Sequence, residues 1–147
     1  MMDKDVDLRW LEDGFAVAGQ IDAALLATLR QAGITAIINN RPDGEQPGQP
    51  DDASLAAAAR AEGIAWTHAP MSGGVSPEML DAVDAASADA GAVLAFCRSG
   101  TRSAYLWALA RARAGGDPDT LSSQAAAAGY DLAAVRPLME RLAAEAR

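Results

Sequence analysis

The segment Val93-Leu94-Ala95-Phe96-Cys97-Arg98-Ser99-Gly100-Thr101-Arg102-Ser103 gathers the residue types that attack and hold a small anion. An apolar, strand-forming run delivers the chain's only cysteine into a short polar turn, and the helix-forming run Ala104-Tyr105-Leu106-Trp107-Ala108-Leu109-Ala110 follows. That order predicts a thiol at the mouth of a helix N-terminus, where unpaired backbone N–H groups and the positive end of the helix dipole converge. A thiol so placed is expected to have a lowered pKa and to act as a nucleophile near neutral pH. The guanidinium groups of Arg98 and Arg102 and the backbone of Ser99, Gly100 and Thr101 can close around one bound anion. The plainer reading of a lone cysteine is an inert core residue. A core cysteine, however, has no need of a glycine and two arginines beside it. For Arg98, a solvated surface charge is an equally good reading.

The elements that must position this turn can be read from period and punctuation. Phe15-Ala16-Val17-Ala18-Gly19 predicts a short first strand, and Ile21 to Ala32 a helix ended by Gly33. Ile34-Thr35-Ala36-Ile37-Ile38 predicts a buried strand. Residues 39–50 hold three prolines and two glycines and read as a loop. Asp51 or Asp52 caps a helix to about Ala61, and Ile64 to Met71 is a third strand. Ser76 and Pro77 open a helix ending near Ala90-Gly91, and Ala92 to Phe96 is the fourth strand. After the Cys97 turn a helix runs to about Ala114. Thr120 opens another to Gly129, and Asp131 onward is the last, with Pro137 disturbing its first turn. Alternation up to Cys97 followed by helices alone predicts an α/β fold. Its mainly parallel sheet of four to five strands is flanked by helices, and its C-terminal part is all helical. Such sheets bind ligands at the C-terminal strand ends, so the loops after Ile38 and Met71 should face the Cys97 turn. That brings Arg41, Asp43 and Glu45 toward the thiol. Arg41 could steer an anion, and Asp43, or failing it Glu45, could move a proton, although Pro42-Asp43-Gly44 is also an ordinary turn sequence. His68 reads as structural, and Trp66, Trp107 and Tyr105 as core or pocket wall.

Composition narrows the partners. The 147 residues form one domain by size, 1–147, with a real hydrophobic core. A formal net charge of −8 argues against a nucleic-acid or anionic-membrane surface, so positive charge near Cys97 is a local feature. One cysteine and one histidine cannot build the usual metal sites, and neither metal nor cofactor is expected. A lone thiol fits a reducing compartment. The polar, acidic start of the chain shows no export or transit signal and no apolar run is long enough to span a membrane, so a cytoplasmic location is expected.

Cys97 with Arg102-Ser103 resembles the signature loop of the cysteine-dependent protein-tyrosine and dual-specificity phosphatases. The likeness extends to Ala18-Gly19-Gln20-Ile21 and to Ile38-Asn39-Asn40-Arg41-Pro42-Asp43-Gly44-Glu45. With Phe96 to Ser103, these segments look like the bacterial beta-lactamase-hydrolase-like family of candidate phosphatases. The resemblance implies a dual-specificity-phosphatase-like catalytic domain acting on a phosphomonoester, free or on a phosphoprotein. It also implies roles. Cys97 is the nucleophile and Arg102 the phosphoryl clamp. Ser103 is the hydroxyl serving the thiolate, and Arg98, Ser99, Gly100 and Thr101 hold the anion. The loop after Ile38 adds Arg41 and Glu45 as anion-binding candidates and Asp43, or failing it Glu45, as the substitute general acid.

Three departures qualify the match. Phe96 stands where the pattern has histidine, four residues rather than five separate Cys97 from Arg102, and residues 70–75 contain no aspartate. The shorter Cys-Arg-Ser-Gly-Thr-Arg form is similar to the loop of rhodanese sulfurtransferases, which take sulfur from a sulfane-sulfur donor as a persulfide. A weakly catalytic anion-binding module is the third reading of the same cradle.

Overall fold

The computed structural model describes residues 7–88 and 91–146. Its centre is a five-stranded sheet of order β1-β2-β5-β3-β4, with β1 at Arg9–Glu12, β2 at Phe15–Ala18, β3 at Ile34–Asn39, β4 at Ala65–His68 and β5 at Ala92–Phe96. All neighbouring pairs are parallel except β1 with β2. The fold class matches the expectation, and the sheet has the larger of the expected strand numbers.

The fifth strand is β1, which the sequence reading missed. It forms a hairpin with β2 across the two residues Asp13 and Gly14, with Gly14 at φ +86°. Asp-Gly between Trp10-Leu11 and the apolar run Phe15–Ala18 was the available signal. The hairpin is tied to the helical layer through Glu12, whose carboxylate accepts from Trp107 Nε1 at 3.0 Å and Arg111 Nη2 at 2.9 Å. Trp107 is fully buried, so its indole N–H needs that partner.

Helices cover both faces of the sheet. On one face α1 (Leu26–Gln31) and α2 (Asp52–Ala61) pack Leu26, Leu29, Leu55 and Ala59 against Ala16, Ala18, Ile37, Leu94 and Phe96. On the other, α3 (Pro77–Ala88), α4 (Thr101–Arg113), α5 (Pro118–Ala127) and α6 (Arg136–Glu145) cover Phe15, Val17, Ile38, Val93 and Ala95. The strand residues alternate between layers, as a period of two requires. Ile34 and Ala36 break the alternation, because a register shift lies between them.

Several boundaries differ from expectation for local reasons. The segment from Ile21 begins as a 3-10 turn at Ala23–Leu25 before α1. Strand β4 is only Ala65–His68, short of the expected Ile64 to Met71. Asp117 caps α5 by accepting from the Thr120 N–H at 2.9 Å, so the helix starts at Pro118 rather than Thr120. A 3-10 turn at Ala133–Val135 precedes α6, which accommodates Pro137 in its first turn. The expected end of α3 near Ala90 and the polar start before Asp7 lie outside the described residues.

Candidate active site

Strand β5 runs between β2 and β3, so the residues after it are gripped from both sides. The Asn40 N–H donates to the Phe96 carbonyl at 2.8 Å, and the Gln20 N–H donates to the Arg98 carbonyl at 3.3 Å. Gly19 lets this happen, since a Cβ there would come within 2.9 Å of the Arg98 carbonyl oxygen. Cys97 is 1% exposed and lies at the mouth of α4. Its Sγ accepts from the Gly100 N–H at 3.1 Å. Gly100 has φ +92° and is the residue before α4, whose first turn contains no acidic side chain. The N-terminal N–H groups of a 13-residue helix, Thr101–Arg113, therefore face the loop without an internal carboxylate from that turn.

Arg102 reaches from the first turn of α4 across to the loop after β3. Its Nη1 and Nη2 donate to the two Glu45 carboxylate oxygens at 2.8 and 2.9 Å, and Nη1 also donates to the Met71 carbonyl at 2.8 Å. Glu45 is bound on its other side by Arg41 Nε at 2.8 Å. Hydrogen bonds from Arg102 and then Arg41 hold the Glu45 carboxyl down to about 2. Arg102 is pushed up in turn, chiefly by Glu45, with the charge on Cys97 adding to it.

The remaining expected residues have other partners. Arg41 is buried, and its Nη1 and Nη2 donate to Gln20 Oε1 and Gln46 Oε1, each at 2.8 Å. It braces the loop instead of standing free to steer an anion. The Ser103 hydroxyl is fully buried and donates to Asn40 Oδ1 at 2.8 Å, so its proton serves Asn40 rather than the thiolate. Asn40 Nδ2 in turn donates to the Ala69 carbonyl at 3.0 Å. Asp43 accepts from the Asp52 N–H at 2.9 Å and so ties its loop to the start of α2. Arg98 is exposed, and the Ser99 and Thr101 hydroxyls are 3.0 Å apart.

His68, read from the sequence as structural, has Nε2 3.1 Å from the Arg41 carbonyl and Nδ1 3.6 Å from Asp52. Asp52 also accepts from Asn39 Nδ2 at 3.1 Å and Trp66 Nε1 at 2.8 Å. Sequence reasoning missed Asn40, Gln20, Gln46 and Tyr130. The Tyr130 hydroxyl donates to the Ser99 carbonyl at 3.2 Å, from a connection with no spacing relation to the loop. Among the described residues no group of three or more His, Cys, Asp and Glu is placed to hold a metal ion, and no helix is long and apolar enough to cross a membrane.

Known proteins share this architecture. The chain is 34% identical over 136 residues to a beta-lactamase hydrolase-like protein of Xylella fastidiosa, an alignment covering 90% of this chain and 32% of that protein. It thus spans about a third of the length of the curated relatives it matches. A candidate phosphatase of Neisseria meningitidis has a crystal structure of TM-score 0.80 and 29% identity, with 94% of this chain and 99% of that one covered. The kinase associated phosphatase, solved with its catalytic-site cysteine replaced by serine, gives a TM-score of 0.73 at 13% identity, with 99% and 98% covered. The fold is that of the protein-tyrosine and dual-specificity-like phosphatases. The model of the family described as beta-lactamase hydrolase-like protein, phosphatase-like domain, matches residues 7–114, and the chain belongs to that family.

Proposed function

We propose that this chain is a cysteine-dependent phosphatase acting on a phosphomonoester. The observation that carries the reading is the placement of Cys97 Sγ at the N-terminus of α4, with the Gly100 N–H 3.1 Å away and Arg102 in the first turn of the same helix. The Cys97 thiolate attacks phosphorus, an S–P bond forms, and the P–O bond to the leaving group breaks with its electron pair going to oxygen. Backbone N–H groups from Arg98 to Ser103 hold the charge on the transferring group. Arg102 exchanges Glu45 for two phosphoryl oxygens, a bidentate grip suited to guanidinium. Water then cleaves the phosphocysteine and restores the thiol.

The proton inventory restricts the substrate. Glu45 is held ionised by two arginines, and Asp43 is bound at the start of α2. An aryl oxide is a less basic leaving group than an alkoxide, so an aryl phosphate asks less of a proton donor than an alkyl phosphate does. A phosphoprotein bearing an aryl phosphate fits that class. The whole of 1–147 acts as one catalytic unit in this reading, and a nucleophilic thiol with no disulfide partner is compatible with a reducing compartment such as the cytoplasm.

A second reading has its own support in the four-residue spacing between Cys97 and Arg102 and in the same shortage of proton donors. In sulfur transfer the thiolate attacks the outer sulfur of thiosulfate, an S–S bond forms, and sulfite leaves with the electron pair and without a proton. Cyanide then removes the sulfur as thiocyanate and returns the thiolate. The load is one sulfur atom, which suits a short cradle.

One paired assay tests both. Wild type and Cys97→Ser are compared for hydrolysis of an aryl phosphate and for thiosulfate-to-cyanide transfer. Cys97-dependent phosphate release without thiocyanate supports the phosphatase. Cys97-dependent thiocyanate with negligible phosphate release replaces it with the second reading. Binding of phosphate with neither turnover reduces the site to an anion-binding cradle.

A further inference from the structure

The Ser99–Gly100 peptide is fixed at both ends. Its N–H donates to Cys97 Sγ at 3.1 Å, and its carbonyl accepts from the Tyr130 hydroxyl at 3.2 Å. The C=O and N–H of a trans peptide point in opposite directions, so whatever holds the carbonyl also aims the N–H. Gly100 makes that restraint matter. A residue without a Cβ lets its preceding peptide rotate at little cost, and Gly100 already occupies φ +92°.

Tyr130 is itself held in place. Its N–H donates to the Ala125 carbonyl at 2.9 Å. The Arg9 guanidinium lies 5.9 Å from the centre of its ring and donates to the Ala128 carbonyl at 2.9 Å. The ring packs against Gly100 closely enough that a Cβ there would meet the phenolic oxygen and lie 3.0 Å from the ring carbon bearing it. Burial, with the charge on Cys97 adding to it and Arg9 opposing, pushes the phenol up, so it stays a donor where the thiolate works.

We propose that Tyr130 is a positioning residue for the nucleophile. By holding the Ser99 carbonyl outward it keeps the Gly100 N–H aimed at Cys97 Sγ. The proposal rests on the reading of Cys97 as the nucleophile and extends it to a residue beyond 7–114, the span matched by the family model. The charged groups about the sulfur are Arg102 from α4 and, through it, Glu45 and Arg41 from the loop after β3, with Arg98 exposed on the loop itself. Tyr130→Phe leaves all of them in place and keeps the ring against Gly100.

The test is alkylation of the full chain by iodoacetamide as a function of pH, for wild type and Tyr130→Phe, with the thermal unfolding midpoint measured alongside. The expected result is a profile displaced to higher pH in Tyr130→Phe at an unchanged midpoint. Its rate at mildly acidic pH should fall roughly three- to tenfold, the size expected for loss of one ordinary hydrogen bond, here the one from the Tyr130 hydroxyl to the Ser99 carbonyl. If the variant proves unstable, Arg9→Gln loosens Tyr130 without touching its hydroxyl and should displace the profile in the same direction. Profiles that superimpose in a folded variant overturn the proposal. A wild-type thiol as sluggish as a free cysteine overturns the functional reading of Cys97 instead, and does so before any variant is compared.

Discussion

Glu45 fills the guanidinium fork of Arg102, oxygen to nitrogen, at 2.8 and 2.9 Å. The group proposed to clamp a substrate oxyanion is therefore already clamping a carboxylate of the protein. An incoming anion must take Arg102 from Glu45, which keeps Arg41 at 2.8 Å as its second partner.

Glu45→Gln should accordingly bind inorganic phosphate or vanadate more tightly, by about three- to tenfold, the worth of a partly exposed ion pair of roughly 1 kcal/mol. Isothermal titration reads this directly. Weaker binding in the variant would mean that Glu45 holds Arg102 in its working position rather than competing for it.

The same pair predicts an acid limit to stability. Glu45 is held down to about 2 in the folded chain, against an ordinary value of 4.5. A depressed folded value means that its contribution is complete above the unfolded value and is lost as pH falls toward the folded one. Denaturant unfolding should therefore weaken with acid across that window, and less steeply in Glu45→Gln than in wild type. Equal slopes would remove Glu45 from the account.

Arg102→Lys should lose activity by about a hundredfold or more, because a single ammonium cannot grip two oxygens in a plane. It should stay folded, since Arg102 is not among the buried residues of α4. A variant within tenfold of wild type would show that the clamp is not bidentate.

Ser103→Ala should destabilise the chain by about 1–2 kcal/mol, because the buried Asn40 Oδ1 loses its hydroxyl donor. Thiol alkylation in this variant should stay close to wild type. A large loss of thiol reactivity at unchanged stability would return Ser103 to the side of the sulfur.

Asp43→Asn should keep aryl phosphate turnover within about twofold, whereas loss of a true general acid costs about a hundredfold or more. Its side chain accepts from the Asp52 N–H, which an asparagine oxygen can also do. A loss of that larger size, confined to substrates with basic leaving groups, would make Asp43 the proton donor after all.

The parts legible in the sequence were those set by local pattern. The strand from Ala92 to Phe96, the helix capped by Asp51 and the Cys97 turn follow from period, caps and turn residues. Each is found within a residue or two of expectation. Strand order carried Arg41, Asp43 and Glu45 to the correct edge of the sheet. What the pattern could not carry was which side chain pairs with which. Arg41 is steered inward by Gln20 and Gln46, and Ser103 is taken by Asn40 across 63 positions of sequence. Tyr130 meets the loop only because α5 and α6 fold back over α4, a tertiary contact with no sequence period. Strand β1 was legible through Asp13-Gly14 and was overlooked.

The position of β5 between β2 and β3 also bears on how the chain folds. Its two neighbours precede it in sequence and do not pair with each other, so they leave a slot one strand wide. Phe15 must wait for Val93, so this pairing carries the entropic cost of a long loop closure. The strand that carries the thiol is thus the keystone of the sheet, and its insertion closes the core and the Cys97 loop in one event. Partly folded chains will hold Cys97 as an ordinary exposed thiol, so its alkylation in denaturant should report the global folding transition.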